Sequence, residues 1–315
     1  MSRKTIAKNF AVVIPSLLIT ILFSACSNVS SSSNHSAPPS HYGQPQTIGT
    51  IKSADIIESS GLAASKCQNN VLWTHNDSGD GPFIFAVNPA GDNLGTWKVK
   101  NAENEDWEDI AEYKDASGQC FIYIGEIGDN KLKRSEQSVY RVKEPNIKAD
   151  NANSDSKHPL ETEPAEIARF KYPDVVQNAE TLMVHPATGD IYVMTKRVNG
   201  PSGVYRLHPS FGGSDVATLE KMADLAVPAI PNGFLTGGDI SPDGRRVIIC
   251  DYTQGYELVL PETSTNFEDI WKQTPEVVEL GKRKHGESIC YSADGKAVFA
   301  GSEGRNSPII ELKRK

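Results

Sequence analysis

The chain has 315 residues, of which 38% are hydrophobic and 23% are charged, so it is long enough to bury a substantial core. All-β proteins of this size often form a single domain. The formal net charge of -8 argues against nucleic-acid binding, which needs a basic face or stripe, and it favours cations as ligands.

The first 26 residues have the pattern of an export signal. Arg3, Lys4 and Lys8 precede the apolar run AVVIPSLLITILF (11–23), which is shorter than the roughly 20 apolar residues that a transmembrane helix needs. The run ends in FSAC, which resembles the lipobox of bacterial lipoproteins, so we expect Cys26 to become the lipidated N-terminus after cleavage. The alternative is an ordinary secretory cleavage site followed by an unmodified cysteine.

The segment 27–46 is rich in serine, proline and asparagine, a composition typical of a flexible tether. Ser27 follows the cysteine where an aspartate would signal retention, which suggests sorting to the outer membrane of a Gram-negative cell, facing the periplasm. The sequence therefore predicts an exported monomer, attached to the membrane through a lipid anchor, with its folded domain at 47–315.

From residue 47 onward, a unit of short β-strands recurs five times. Each unit opens with polar or acidic residues before an apolar strand, and a turn that often contains Asp-Gly or Thr-Gly leads to a second strand. A third strand follows in every unit and a fourth in four of them. The first strands are SSGLAAS (59–65), WEDIAEY (107–113), AETLMVH (179–185), GGDISPD (237–243) and GESICYS (286–292).

The fifth unit lacks a fourth strand before the chain ends. The segment TIGTIKSADI (47–56) can supply it and close a ring. Five four-stranded units closed in this way describe an all-β fold, the β-propeller, in which closure hides the sheet edges. The polar stretch 143–166 reads as a surface loop in the second unit. A sixth blade within 143–176 is the alternative.

A propeller gathers the starts of its first strands around a central channel. Glu108, Glu180 and Glu287 occupy this position in three units. Three glutamates in a narrow channel need raised pKa values or a counter-ion, and their hard oxygen atoms suit Ca²⁺ or Mg²⁺. The predicted ligands of a central cation are Glu108, Asp109, Glu180, Asp239 and Glu287.

Further side chains are expected at the same face, because the second strands return to it. The predicted channel-face residues are Ser60, Asn76, Asp77, Glu126, Lys196, Asp251 and Glu303. An alternative role for some of the carboxylates is to accept backbone N–H groups at strand starts or to pair with Lys196.

Motifs for other chemistries are few. The sequence contains no G-x-S-x-G, no H-E-x-x-H and no glycine-rich phosphate loop. His285, two residues before Glu287, is a weak candidate for a general base, and a loop residue without a catalytic role is the alternative. HNDSGDG (75–81) resembles a calcium loop only superficially, because Val87 stands where a bidentate glutamate is required.

Four cysteines remain after Cys26, and export to an oxidising compartment permits disulfides between them. Cys67 and Cys120 fall in equivalent turns of adjacent units, on the same face, and are the first candidate pair. Cys250 and Cys290 are the second, with buried free thiols as the alternative.

The repeat also carries a family resemblance. The segments ESSGL (58–62), VLWTHNDSGDGPFIFAVN (71–88), DWEDIA (106–111), YIGEIGDN (123–130) and NAETLMVHPATGDIYVMTK (178–196) resemble bacterial exported propellers similar to the SdiA-regulated and esterase-like phytase groups. The resemblance covers most of 50–312 and implies a propeller without implying a particular reaction.

A fainter likeness is to the calcium-activated nucleotidases, five-bladed propellers whose inner-strand glutamates hold a central Ca²⁺. Glu108, Glu180 and Glu287 match that pattern. Two functions are therefore expected. The first is a lipid-anchored propeller that binds a small ligand or protein partner at its channel face, with a central divalent cation. The alternative is a Ca²⁺-dependent phosphoester or ester hydrolase.

Overall fold

The computed structural model describes residues 41–315, and the predicted export signal, Cys26 and the predicted tether up to residue 40 lie outside the described part. Nearly all regular structure within it is β-strand, arranged in five antiparallel sheets. The first strand of each sheet contacts the first strand of the next, and that of the last sheet contacts that of the first. This closed ring confirms the predicted β-propeller with five blades.

Blades 1 and 2 each contain five strands, the fifth of which is donated by a neighbouring part of the chain. Blade 1 comprises Ser59–Ala64, Leu72–Asn76, Phe83–Val87, Asn93–Lys100 and the added Leu160–Pro164. Blade 2 comprises Trp107–Lys114, Cys120–Glu126, Gln137–Lys143, Glu166–Lys171 and the added Val216–Thr218.

Blades 3, 4 and 5 have four strands each. Blade 3 comprises Ala179–Val184, Ile191–Thr195, Ser202–Leu207 and Glu220–Leu225. Blade 4 comprises Gly237–Ile240, Arg246–Cys250, Gly255–Val259 and Glu276–Val278. Blade 5 comprises Ile289–Tyr291, Ala297–Ala300, Pro308–Lys313 and the N-terminal Gln46–Thr50.

The N-terminal strand closes the ring as predicted. Gln46–Thr50 pairs antiparallel with Pro308–Lys313, so the two ends of the described chain share one sheet. The last blade is therefore completed by the N-terminal strand, and backbone hydrogen bonds between the two ends of the described chain hold the ring closed.

The stretch 143–166 differs from the expectation of a surface loop. It contains a short 3₁₀-helix, Ala149–Asn153, and the strand Leu160–Pro164, which pairs parallel with the outer strand of blade 1. No sixth blade forms within the described residues. The added strand instead covers the outer edge of blade 1, just as Val216–Thr218 covers that of blade 2, and a covered edge cannot pair with another molecule.

The core is divided into five apolar layers, one between each pair of neighbouring blades. Successive residues of a strand face opposite layers, as the two-residue period of a β-strand requires. In blade 3, for example, Leu182 and Val184 pack toward blade 2 while Met183 packs toward blade 4. A second 3₁₀-helix, Phe267–Lys272, buries Ile270 and Trp271 in the layer between blades 3 and 4. Within residues 41–315, no helix has the length and apolarity needed to cross a membrane.

Candidate functional site

The predicted glutamates converge at one end of the central channel. Glu108, Glu180 and Glu287 are all buried, with 3%, 3% and 6% of their surface exposed. Glu108 and Glu180 each lie at a shift in strand register, between Trp107 and Asp109 in blade 2 and between Ala179 and Thr181 in blade 3. Such bulges redirect a side chain, which explains why two consecutive residues can both be buried.

Burial and mutual repulsion raise the pKa values of these three carboxyl groups. Burial raises the pKa of Glu108 well above its usual value, and the neighbouring Glu180 and Asp77 carboxylates raise it further. Burial raises the pKa of Glu180 to about 7, although Lys196 opposes this shift. The pKa of Glu287 rises to about 9 through burial and a hydrogen bond with Glu303. We call this end of the channel the acidic mouth, and its members are Asp77, Asp106, Glu108, Glu180, Glu287 and Glu303.

The tightest group of carboxylates in the acidic mouth differs from the predicted one. Asp77, Asp106 and Glu108 each offer an oxygen atom that lies within 4.8 Å of those of the other two. Gly128 borders this group, since a Cβ atom added there would lie 2.3 Å from Glu108 Oε1 and 2.4 Å from Asp106 Oδ2. Glycine at this position therefore leaves room for the two carboxylates. Burial and nearby carboxylates, Asp77 first, raise the pKa of Asp106 to about 6.

Glu126 fixes the backbone that carries Asp106. Its carboxylate accepts the N–H groups of Glu105 and Asp106, each at 3.0 Å, and pairs with Arg134 at 2.7 Å. Arg134 also donates to the carbonyl oxygen of Gly128 at 2.8 Å. Glu126 is therefore a positioning residue, and its negative charge is balanced by Arg134.

Glu180 is paired rather than free to bind a cation. Lys196 Nζ lies 2.5 Å from Glu180 Oε2 and donates a second hydrogen bond to the Tyr252 hydroxyl at 3.0 Å. The same ammonium group lies over two aromatic rings, 4.6 Å from the centre of Phe234 and 4.9 Å from that of Tyr252. The pairing with Lys196 was an alternative considered from the sequence, and the structure contains it.

Asp109 and Asp239 connect blades and are occupied by backbone groups. Asp109 accepts the N–H of Ile110 at 2.8 Å and, across the channel, those of Leu182 at 2.9 Å and Gly238 at 3.4 Å. Asp239 accepts N–H groups from Ile240 at 2.8 Å and Tyr291 at 2.9 Å. Their oxygen atoms thus fasten blade 2 to blades 3 and 4, and blade 4 to blade 5. Neither aspartate belongs to the cation site proposed below.

Several predicted channel-face residues form hydrogen bonds that stabilise local structure. The Ser60 hydroxyl donates to the Glu108 carbonyl oxygen at 2.6 Å. Asn76 accepts the N–H groups of Ile57 and Glu58. Asp251 accepts from Thr253, Gln254 and Tyr256 and closes the turn after the second strand of blade 4.

His285 lies at the rim of the acidic mouth. Its ring is 5.0 Å from that of Tyr252, and its Nδ1 atom is 3.8 Å from a Glu303 oxygen. The side chain is half exposed. The Ser302 hydroxyl accepts the backbone N–H of His285 at 3.0 Å and donates to its carbonyl oxygen at 2.8 Å. These bonds involve the backbone of His285 and not its ring, so they do not form a nucleophile–base pair.

The structure joins Cys67 to Cys120 by a disulfide, with Cα atoms 6.2 Å apart. Cys250 and Cys290 are buried free thiols, so the second candidate pair does not form. The reason is geometric: Cys250 faces the apolar layer between blades 4 and 5, whereas Cys290 faces the layer between blades 5 and 1. Glu112 and Glu144 lie close to the disulfide, whose sulfur atoms are not available as metal ligands.

Comparison with known proteins adds little beyond the fold. No protein-family model and no curated protein matches the chain, so the predicted likeness to SdiA-regulated and phytase-like propellers has no support at the level of sequence. A solved structure of a luciferin-regenerating enzyme is similar over 86% of this chain and 95% of that one, with 8% identity and a TM-score of 0.45. The assignment of five blades rests on the strand pairing described above.

Proposed function

We propose that this protein is an exported, lipid-anchored β-propeller that binds a divalent cation, best matched by Ca²⁺, in its acidic mouth, and that it uses this face to bind a further ligand. The observation that carries the cation proposal is the convergence of Asp77, Asp106 and Glu108 within 4.8 Å. Glu180 pairs with Lys196 and Glu287 with Glu303, so these two glutamates surround the site without completing it.

The donor set fits a hard cation. Carboxylate oxygen atoms are the preferred ligands of Ca²⁺, which takes six to eight oxygen ligands and tolerates irregular geometry. Asp77, Asp106 and Glu108 would hold the ion, and its charge would offset their mutual repulsion. Arg134, a cationic side chain close to Asp106, is engaged by Glu126 at 2.7 Å. Gly128 keeps the space between the carboxylates open.

Proton and cation binding should compete at this site. The pKa of Asp106 is about 6 and that of Glu108 is raised well above its usual value, so both groups bind protons more tightly in the folded protein than in the unfolded chain. The stability that these protons contribute is complete below about pH 4 and is lost as the pH rises through the folded pKa values. A cation replaces the protons, and its stabilising effect should therefore be larger at pH 8 than at pH 5.5.

Thermal unfolding of the purified full-length protein tests the proposal. After EDTA treatment, Ca²⁺ at a hundredfold excess over its dissociation constant should add about 2.7 kcal/mol to the free energy of unfolding. For a domain of this size, that corresponds to a rise in Tm of roughly 5 °C. Asp106→Asn should abolish the rise, and Asp294→Asn, which alters an exposed turn, should keep it. Identical melting curves with EDTA and with Ca²⁺ would refute the cation site.

The hydrolase alternative would use the same cation. Assays of the Ca²⁺-loaded protein for phosphatase, nucleotidase and esterase activity decide between the two. Turnover that is lost in Asp106→Asn would make the protein an enzyme. Ca²⁺ binding without turnover supports a binding role.

Lipid anchoring is proposed from the export signal and from Cys26, which follows it. Mass spectrometry of the mature N-terminus should find a diacylglyceryl-modified Cys26, and Cys26→Ser should release the protein from membranes. An unmodified mature N-terminus, or a Cys26→Ser variant that stays in the membrane fraction, would contradict this part of the proposal.

A further inference from the structure

A separate cavity of about 590 Å³ lies beside the Glu180–Lys196 pair, lined by residues of blades 2, 3 and 4 and of their connections. Its volume is within the range of small-molecule binding sites. Five parts of the chain contribute to its walls: Asn130 with Leu132, the segments 175–178 and 196–199, Phe234, and Tyr252. The cavity therefore depends on the assembled ring and belongs to no single blade.

The charge of the cavity lining is opposite to that of the acidic mouth. It contains no aspartate or glutamate, and its charged residues are Lys196 and Arg197. Burial alone would lower the pKa of Lys196, but the Glu180 carboxylate outweighs this and keeps the ammonium group charged. An ammonium group has three donors, and Glu180 and Tyr252 use two of them. The third N–H of Lys196 forms no hydrogen bond with residues 41–315.

Arg197 adds a second positive charge at the cavity. Its backbone N–H donates to the carbonyl oxygen of Gly233 at 2.7 Å, which fixes the main chain at this point. The side chain is exposed, and among residues 41–315 its guanidinium group forms no ion pair. A guanidinium group with unused donors can bind a carboxylate or phosphate through two parallel hydrogen bonds.

Part of the remaining lining is apolar, and it is joined by the amide side chains of Asn130, Gln177, Asn178 and Asn199. Phe234 and Tyr252 pack edge to face, with ring centres 5.2 Å apart. Leu132, Val175 and Val198, from three different loops, line the same cavity with 54%, 64% and 66% of their surface exposed. They are three of the seven large hydrophobic side chains that are exposed in the described chain, and their gathering at one cavity is typical of a binding site.

We propose that this cavity binds an organic anion with an apolar body. The carboxylate or phosphate head pairs with Lys196 and Arg197, and the body packs against Phe234, Tyr252 and the exposed valines. This inference rests on the proposed binding role of the channel face and specifies the chemical class of its ligand. Both head groups are negatively charged and can be bound through paired hydrogen bonds, so the experiment includes both.

Isothermal titration of the full-length protein with octanoate, octyl phosphate and octylammonium tests the proposal. At least one of the two anions should bind saturably with one site per chain, and octylammonium should bind roughly tenfold more weakly or not at all. The stronger anion shows which head group the cavity prefers. Absence of saturable binding by both anions up to about 10 mM, or equal binding by octylammonium, would overturn the proposal.

Variants locate the binding. Arg197→Glu and Val198→Asp change exposed side chains and should each weaken anion binding by roughly tenfold or more. Lys98→Glu, an equal charge reversal on an exposed position of blade 1, should leave it unchanged. Binding that is insensitive to both cavity variants, or equally weakened by Lys98→Glu, would place the ligand elsewhere and refute the assignment.

The same variants separate this proposal from the cation proposal. Asp106→Asn should remove the effect of Ca²⁺ on Tm and leave anion binding intact. Arg197→Glu should weaken anion binding and leave the effect of Ca²⁺ on Tm intact. Ca²⁺ stabilisation without anion binding would refute only the anion site, and anion binding without Ca²⁺ stabilisation would refute only the cation site.

Discussion

Replacing Asp109 by alanine should strongly destabilise the propeller, because this one carboxylate joins three blades. Asp109 is fully buried and accepts N–H groups from Ile110, Leu182 and Gly238. Alanine would leave these three buried donors without their carboxylate partner. Each buried donor left in this state costs about 1 to 3 kcal/mol.

The net loss should be smaller than the sum of the three costs. The bond from Gly238 is long, at 3.4 Å, and removing the carboxylate also removes the cost of burying its charge. We therefore expect Asp109→Ala to lower the free energy of unfolding by about 2 to 5 kcal/mol, a large part of the 5 to 15 kcal/mol typical of folded proteins. Asp109→Asn keeps an oxygen atom for Leu182 and Gly238 and should cost about 1 kcal/mol.

Urea unfolding followed by tryptophan fluorescence measures this difference through the midpoint at constant slope. Asp174→Ala is a matched control, because Asp174 is exposed and accepts only the N–H of Val175, the next residue along the chain, and it should change stability by less than about 0.5 kcal/mol. If Asp109→Ala is no more destabilising than Asp174→Ala, the carboxylate does not hold the blades together and the reasoning is wrong.

Three further predictions concern other parts of the molecule. Gly128→Ala should weaken Ca²⁺ binding by roughly tenfold or more, measured by titration calorimetry, because the added Cβ would lie 2.3 Å from Glu108 Oε1; unchanged affinity would count against the site. The double variant Cys67→Ser/Cys120→Ser should lose about 2 to 4 kcal/mol in urea unfolding, since the disulfide spans 53 residues, and wild-type stability would contradict this. Burial lowers the pKa of His75, so its protonation favours the unfolded chain, and the free energy of unfolding falls as the pH drops below 6.5. Between pH 7 and pH 5, His75→Phe should therefore lose less of its free energy of unfolding than the wild type. Equal losses in the two proteins would exclude His75 as the cause.

The five-bladed fold could be predicted from the sequence because each hairpin carries its own local signals. Turns such as SPDG (241–244) and SADG (292–295) separate strands whose apolar residues recur, and five such units account for most of the chain. The N-terminal closing strand could be predicted by counting strands, because the fifth unit contains only three and an unassigned segment precedes the first unit. The added strands Leu160–Pro164 and Val216–Thr218 were missed, because a short polar strand on the outer edge of a blade has no apolar pattern.

The candidate site could be predicted only in part. The sequence placed Glu108 correctly at the channel, but the register shifts next to Glu108 and Glu180 are not visible in a pattern of residue types. Without them, Glu108 and Asp109 could not be assigned separate roles. Asp106 lies just before the strand, and its place beside Glu108 depends on the backbone hydrogen bond to Glu126 from a neighbouring strand.

The cavity beside Lys196 was also beyond sequence reasoning. Its rim residues Leu132, Val175 and Val198 lie in three loops that are far apart in sequence, and isolated apolar residues in loops are common. Only the ring of blades brings them together. The one available signal was Lys196 itself, which directly follows the second strand of blade 3 and was predicted to lie at the channel face.

A crystal structure of the protein grown with Ca²⁺ would test the cation site most directly. Anomalous scattering from the metal should give one strong peak in the acidic mouth, about 2.3 to 2.6 Å from oxygen atoms of Asp77, Asp106 and Glu108. The peak should vanish in crystals of Asp106→Asn grown in the same solution. Absence of an anomalous peak in the acidic mouth at millimolar Ca²⁺ would contradict the proposed site. So would a Ca²⁺ ion coordinated by Glu180 and Glu287 but not by Asp77 and Asp106.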